Sequence, residues 1–341
     1  MFLQEGNRLN YQYDAEKLWI EPWGPNSFRI RSTVANTMPA ERWALEDDPT
    51  PSTPTITIEK DSATIGNGKI KATVTSAGKL TIHNSNGMLL LEEYARTRQH
   101  NVLDPKTSAL EISAREHKPH PGHSSWHLTW RLESVSRAEK LYGMGQYQQP
   151  FLDLKGTDLE LAHRNSQASV PFMLSSLGYG MLWNNPAIGR AVLGKNVMSF
   201  EAYSSGHGLD VWITAGDRPR EIVQAYVGVT GKVPMMPEYG LGFWQCKLRY
   251  QTQEELLQVA REYKRRELPI DLIVVDFFHW PLQGEWKFDG TYWPDPGMSD
   301  TPKDEADSKS INTLSRRNDQ GTERHGYRAN GIRLADRRPP L

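Results

Sequence analysis

Between Trp19 and about Ile213, apolar and polar residues alternate with a period of two over short runs separated by turn residues. That is the pattern of strands burying one face. Phe28-Arg29-Ile30-Arg31, Thr55-Ile56-Thr57-Ile58, Ile70-Lys71-Ala72-Thr73-Val74, Leu80-Thr81-Ile82 and Trp126-His127-Leu128-Thr129-Trp130-Arg131-Leu132 all show it. Each run places its apolar side chains on one side of the pleat. Asn67-Gly68 and Asn86-Gly87 fall between such runs. Asn-Gly supplies the two positive-φ positions of a type I′ turn, so antiparallel hairpins are predicted. Two proline-rich stretches, one holding Pro49, Pro51 and Pro54 and the other running from Lys118 to Gly122, read as exposed loops. The prediction is a β-sandwich occupying residues 1–237.

The pattern changes after Pro219, where Glu221 to Tyr226 reads as helix, followed by Gly231 and a Pro234 to Pro237 linker. A second domain is predicted from Glu238 to Met298. Tyr239-Gly240-Leu241-Gly242-Phe243-Trp244 reads as a buried strand, and Thr252 with Glu255 as a capping box. Leu256, Val259, Ala260 and Tyr263 then form one helical stripe ended by Pro269. Ile270 to Asp276 is a near-continuous apolar run, as in a parallel strand covered on both faces. The result is one βαβ unit, the start of an α/β barrel. From Ser299 to Leu341 no amphipathic period survives. This segment is expected to be disordered, because it cannot bury enough apolar surface to offset chain entropy of about 1–2 kcal/mol per residue. A lone βαβ unit needs further strands, so the abrupt change suggests a barrel cut short by truncation or a frame shift.

Composition narrows the partners. Forty basic residues stand against 41 acidic ones, which favours neither a nucleic-acid surface nor a polybasic membrane patch. No stretch approaches the roughly 20 apolar residues of a membrane helix. A lone cysteine, Cys246, excludes an internal disulfide, and the first residues lack a signal-peptide pattern, so a cytoplasmic protein is expected. Eleven Trp and 13 Tyr on a near-neutral chain suit either sugar stacking or core packing.

Asp276 carries the most chemistry. A carboxylate ending a run of Ile and Val lies at the carboxy-terminal rim of a parallel strand, where barrel active sites form, although a cap or salt-bridge role fits equally. Trp244, Lys247, Arg249 and Tyr250 are expected at the same rim. The segment from Phe277 to Asp289 crowds aromatic rings that suit a sugar's apolar face or a core lid. Glu285 and Asp289 do not identify a catalytic pair, since a retaining glycosidase holds its carboxyls about 5–5.5 Å apart and loop spacing cannot establish that. Four histidines, His117, His120, His123 and His127, lack the helix that would align them on a metal. No metal or other cofactor is expected. Tyr142-Gly143-Met144-Gly145-Gln146 lacks the third glycine and following helix of a dinucleotide loop.

Several segments, in order, resemble glycoside hydrolase family 31, the retaining α-glucosidases and α-xylosidases. They are Leu141 to Gln146, Val170 to Gly180, Gly242 to Lys247, Leu268 through Asp276, and Tyr292-Trp293-Pro294-Asp295-Pro296. The resemblance spans roughly Leu18 to Met298. It implies a galactose-mutarotase-like β-sandwich followed by a (β/α)8 barrel. It assigns Asp276 to the hydroxyls of the sugar in subsite −1, with Phe243 and Phe277 lining the pocket and Trp244 and Trp286 near it. It also implies a sandwich loop at the site, where Arg164-Asn165-Ser166 offers Asn165 in place of the family's Asn-x-Asp. The Asp276 to Trp280 and Gly284 to Asp289 segments look closest to the α-xylosidase branch, implying oligosaccharides such as xyloglucan fragments, or α-glucosides, as partners. The family's nucleophile and acid/base are aspartates on later strands, and neither motif stands between Ser299 and Leu341. No catalytic residue is therefore assigned, and the chain is expected to be inactive. A non-catalytic carbohydrate-binding or partner-binding module is the alternative.

Overall fold

A computed structural model describes residues 1–47, 49–96, 108–206, 208–277, 279–283, 285 and 287–295, together with the backbone of 312–313 and 331–333. The chain divides into two compact units, Met1–Val233 and Pro234–Leu341.

The first unit opens with β1 (Phe2–Glu5), β2 (Arg8–Tyr13), β3 (Glu16–Pro22) and β4 (Ser27–Thr33), followed by β5 (Thr55–Ile58), β6 (Ser62–Asn67), β7 (Ile70–Thr75), β8 (Leu80–Asn84) and β9 (Leu89–Glu92). It continues through β10 (Arg115–Pro119), β11 (Trp126–Glu133), β12 (Leu141–Gln146), β13 (Asp158–Leu161) and β14 (Ala168–Ser175). The last strands are β15 (Tyr179–Trp183), β16 (Gly189–Leu193), β17 (Val197–Ser205) and β18 (Leu209–Ala215), and helix α1 (Pro219–Thr230) closes the unit. One sheet runs β1-β2-β3-β4-β18-β15-β14-β12, and two five-stranded sheets run β10-β11-β17-β16-β13 and β5-β6-β7-β8-β9. Every pairing within them is antiparallel.

The three sheets share one core. Leu18, Ile20 and Ile30 from the first, Ile65, Ala72 and Val74 from the second five-stranded sheet, and Leu128, Trp130 and Phe200 from the other belong to a single buried cluster. This is the sandwich that the alternating runs predict. The strands β1 and β2 extend it ahead of Trp19, where the sequence reading began. Its central strands are buried on both faces: the Arg29 and Arg31 positions of β4, polar by pattern, are covered rather than solvated. Arg29 is 1% exposed and donates to Asp210 of β18 from Nε (3.1 Å) and Nη2 (2.6 Å), while Asn184 donates to the same carboxylate at 3.0 Å. A second apolar cluster, with Trp23, Leu182, Trp212 and Val229, seats α1 on the outer face.

Turn chemistry differs from expectation. The β6–β7 register pairs Asn67 with Ile70, so Gly68 and Lys69 form the turn and only Gly68 has positive φ (60°). A glycine-first pair of this kind suits a II′ turn rather than I′. Asn67 is instead buried, donating its amide to Gly24 and Ser27 carbonyls at 3.0 and 2.8 Å. In the β8–β9 hairpin Gly87 alone is left-handed (φ 81°), and Asn84 Oδ1 accepts from the Asn86 and Met88 amides. Lys118 and Pro119, read as loop, end the edge strand β10, a position that tolerates proline because the missing N–H would face outward. The Gly143-Met144-Gly145 segment is a bulge in β12. All three residues have positive φ, and a Cβ at Gly145 would stand 2.2 Å from the Ala168 carbonyl, so close strand approach explains the motif.

The second unit holds a 3-10 helix, Glu238–Leu241, then β19 (Trp244–Lys247), α2 (Gln253–Arg265) and β20 (Leu272–Val275). The strand expected over Tyr239–Trp244 begins later, because Tyr239 lies in the short helix entered from Pro237 (φ −64°). Strands β19 and β20 pair in parallel, Trp244 with Leu272 through Lys247 with Val275. The βαβ unit is therefore present. Thr252 Oγ1 accepts from Glu255 N at 3.2 Å, and Glu255 returns its carboxylate to Gln251 N at 2.7 Å. Tyr250, Leu256, Leu257, Ile273, Val275 and Trp293 form the core. Within 299–341, the described backbone comprises β21 (Asn312–Thr313) and β22 (Gly331–Arg333), an antiparallel pair set antiparallel on β20. The sequence pattern predicts no strands there. The rest of that segment lies outside the described residues. Among the described residues no helix is long and apolar enough to cross a membrane.

Candidate functional site

Asp276 is the first residue after β20, so the strand's carboxy-terminal end delivers it to the rim. It is exposed. Its carboxylate makes no hydrogen bond or ion pair among the described residues, which leaves the cap reading unsupported. Phe277 follows in the left-handed region (φ 67°), 42% exposed. Bulky residues rarely adopt that conformation outside turns and functional sites. The ring meets Trp280 at 5.7 Å, edge to face.

Behind these residues the chain folds onto the core. His279 is buried, accepts Asp289 N on its carbonyl at 2.8 Å, and contacts Trp280 at 4.6 Å and Phe288 at 5.4 Å. Burial lowers the His279 imidazole below its ordinary value, against the opposing pull of Asp276. Phe288 in turn contacts Trp293, which is 1% exposed. Gln253, at the first turn of α2, ties the segment down: its backbone N–H donates to the Tyr292 carbonyl (3.0 Å) and its side-chain oxygen accepts from Asp295 N (2.9 Å). The aromatic crowding thus divides between core rings, Phe288 and Trp293, and rim rings, Phe277 and Trp280. Asp289 accepts Thr291 N at 2.9 Å as a turn cap, and Glu285 lies 3.8 Å from Lys287.

Other expected site residues fall elsewhere. Phe243 and Trp244 do not share Asp276's rim. Trp244 pairs with Leu272, the first residue of β20, and Phe243 N donates to Asp271 Oδ2 at 2.9 Å. Four residues at about 3.3 Å each separate them from the rim, roughly 13 Å along the strand. The misplacement follows from starting the first strand too early. Lys247 does end β19, and its ammonium contacts Glu255 at 2.5 Å. Asn165 sits at an exposed turn of the first unit, between the bridged residues Arg164 and Gln167. Trp286 lies outside the described residues. The four histidines do not converge: in the β10–β11 ladder His117 faces Leu128 while His127 faces Lys118, so the two rings alternate across the sheet. Among the described residues no group of ligands suited to a metal ion forms. His279 and Trp280 fall within the Phe277 to Asp289 run without a site role assigned by sequence; their proximity to Asp276 and the apolar strand before it is the available signal.

Comparison with known proteins fits this geometry. Residues 17–190 match the glycosyl hydrolase 31 N-terminal galactose mutarotase-like domain, and residues 233–315 match the glycosyl hydrolases family 31 TIM-barrel domain. The chain belongs to glycoside hydrolase family 31. The uncharacterized family 31 glucosidase ORF2 of Pseudescherichia vulneris is 49% identical over 303 residues, 86% of this chain and 56% of that protein. Alpha-xylosidase A of Aspergillus niger is 28% identical over 86% of this chain and 41% of its own. The crystal structure of a family 31 α-xylosidase from a soil metagenome, complexed with xylose, superposes with a TM-score of 0.77 at 54% identity, covering 87% of this chain and 44% of that one. The family 31 chain described here thus spans about half the length of the relatives it matches.

Proposed function

We propose that this chain carries sugar-recognition elements of a retaining α-glycosidase that acts on terminal α-linked xylose, and that the 341 residues bind saccharide without cleaving it. One observation carries the binding reading: an exposed carboxylate with no hydrogen-bond or ion-pair partner among the described residues stands at the carboxy-terminal end of a parallel barrel strand, beside an exposed left-handed phenylalanine. A free carboxylate accepts hydrogen bonds from paired hydroxyls, and an aromatic face covers the C–H side of a pyranose. Asp276 is the proposed hydroxyl acceptor and Phe277 the proposed ring contact. Trp286 is retained from sequence alone, and Asn165 as the sandwich's own candidate contact; Phe243 and Trp244 are not assigned to this site.

The 54% identity to a xylose-complexed α-xylosidase supports xylose. Alpha-glucosides are the second reading, supported by the 49% identical glucosidase. The lone cysteine favours a cytosolic setting. Absence of turnover follows from chemistry: covalent and proton-transfer steps need two positioned carboxyls. The aspartates that the family resemblance assigns to those steps have no counterpart motif in residues 299–341. The test combines two assays on the whole chain. Titration with D-xylose is expected to saturate and to be lost in Asp276→Asn, while 4-nitrophenyl α-xyloside and α-glucoside are expected to remain intact. Release of nitrophenol by the purified chain overturns the inactivity; unchanged xylose binding in Asp276→Asn overturns the assignment of Asp276.

A further inference from the structure

The rings beyond β20 form an unbroken contact series. Phe277 meets Trp280 at 5.7 Å and 66°, Trp280 meets His279 at 4.6 Å and 78°, His279 meets Phe288 at 5.4 Å, and Phe288 meets Trp293 at 5.9 Å. The series begins on an exposed ring at the rim and ends on a buried one packed with Ile273, Val275 and Leu256. His279 is the middle member. Its backbone is pinned by Asp289 N and its side chain is buried, so its ring has little freedom to turn.

We propose that His279 is a positioning residue, seating Trp280 edge-on and tying the Phe277–Trp280 pair to the buried Trp293, so that the rim rings beside Asp276 form a preset platform for a sugar's apolar face. The inference rests on the reading of Asp276 as the saccharide site and adds what holds that site's rings in place. The physical reason is preorganisation. Phe277 occupies a costly backbone conformation and Trp280 is only half-buried, so neither is rigid on its own account. An edge-to-face partner fixed in the core adds restraint, and a ring ordered before binding loses less entropy on contact with ligand. The imidazole acts here as a ring of suitable size.

The experiment titrates D-xylose into the whole chain and into His279→Phe, His279→Ala and Asp276→Asn, with the Trp280 indole N–H followed by NMR. His279→Phe keeps a ring in place and is expected to bind within about twofold of the parent. His279→Ala is expected to weaken binding roughly five- to tenfold and to move and broaden the Trp280 indole signal, while the sandwich amide signals stay unchanged. Equal losses in both His279 variants overturn the ring-positioning role. Loss on Asp276→Asn with no loss on His279→Ala overturns the positioning inference and leaves the site reading standing. No saccharide binding by the parent chain overturns both. If His279→Ala fails to fold, the comparison of His279→Phe with His279→Leu replaces it, with rescue by Phe alone as the supporting result.

Discussion

The two units solve the burial problem differently. In the sandwich, central strands are covered on both faces, and one core joins all three sheets. In the βαβ unit the core cluster among the described residues is six residues, while Met235, Leu241, Phe243, Trp244, Leu248 and Leu282 remain substantially exposed. The difference shows where polar groups are admitted. The sandwich ties buried charge into networks. Arg115 reaches Glu93 (2.5 and 2.6 Å) and Glu16 (2.5 Å), and Glu93 also accepts from Trp130 Nε1 (2.8 Å) and Leu80 N (2.9 Å). The βαβ unit instead leaves Asp276 open at a strand end. A satisfied carboxylate stabilises a fold; an unsatisfied one is available to a ligand.

The largest effect is expected from breaking the sandwich network. Glu93→Ala leaves Arg115 with Glu16 as its remaining carboxylate and orphans the Trp130 Nε1 and Leu80 N–H donors, which together is expected to cost about 3–5 kcal/mol. A urea titration followed by tryptophan fluorescence checks it, and a loss below about 1 kcal/mol would mean that the network is not closed. Next, Ile273→Ala removes one methylene and two methyl groups from the small core, expected at about 2–3 kcal/mol because a small cluster relaxes more readily. Amide hydrogen exchange is expected to place that loss in β20 and α2 and to leave the sandwich strands unchanged. A smaller effect comes from Thr252→Ala, which deletes the N-cap of α2 at about 1 kcal/mol, read in the same exchange experiment.

Acid sharpens the comparison further. Burial alone would raise the Glu16 carboxyl, but Arg115 and Ser32 outweigh it and hold the group below its ordinary value of 4.5. A carboxyl lowered by folding stabilises fully above its unfolded value. That contribution disappears as pH falls through the lowered folded value. The sandwich is therefore expected to lose stability below pH 4.5, and Glu16→Gln to flatten this part of the profile; an unchanged profile would contradict the network's role.

Period-two patterning made the sandwich strands legible because one buried face per strand leaves a direct mark on sequence. Arg29 and Arg31 escaped that logic, since Asp210 and the Glu41 carbonyl hold Arg29, and Glu21 and the Pro39 carbonyl hold Arg31, where solvent was expected. Asn67 misled for a similar reason: its amide serves a neighbouring hairpin rather than its own turn. Asp276 was legible from a carboxylate ending an apolar run, whereas the end of the sheet occupied by Phe243 depended on strand register, which apolar composition alone does not fix. The core role of Trp293 was hidden because it packs from a segment without periodicity.

Hydrogen exchange of the whole chain with and without saturating D-xylose tests the central claim most directly. The account expects new protection in peptides that begin at Asp276 and cover the rim rings, with the interior sandwich strands unchanged. Protection confined to the sandwich, or none anywhere at concentrations that saturate the relatives, would contradict a sugar site at the end of β20.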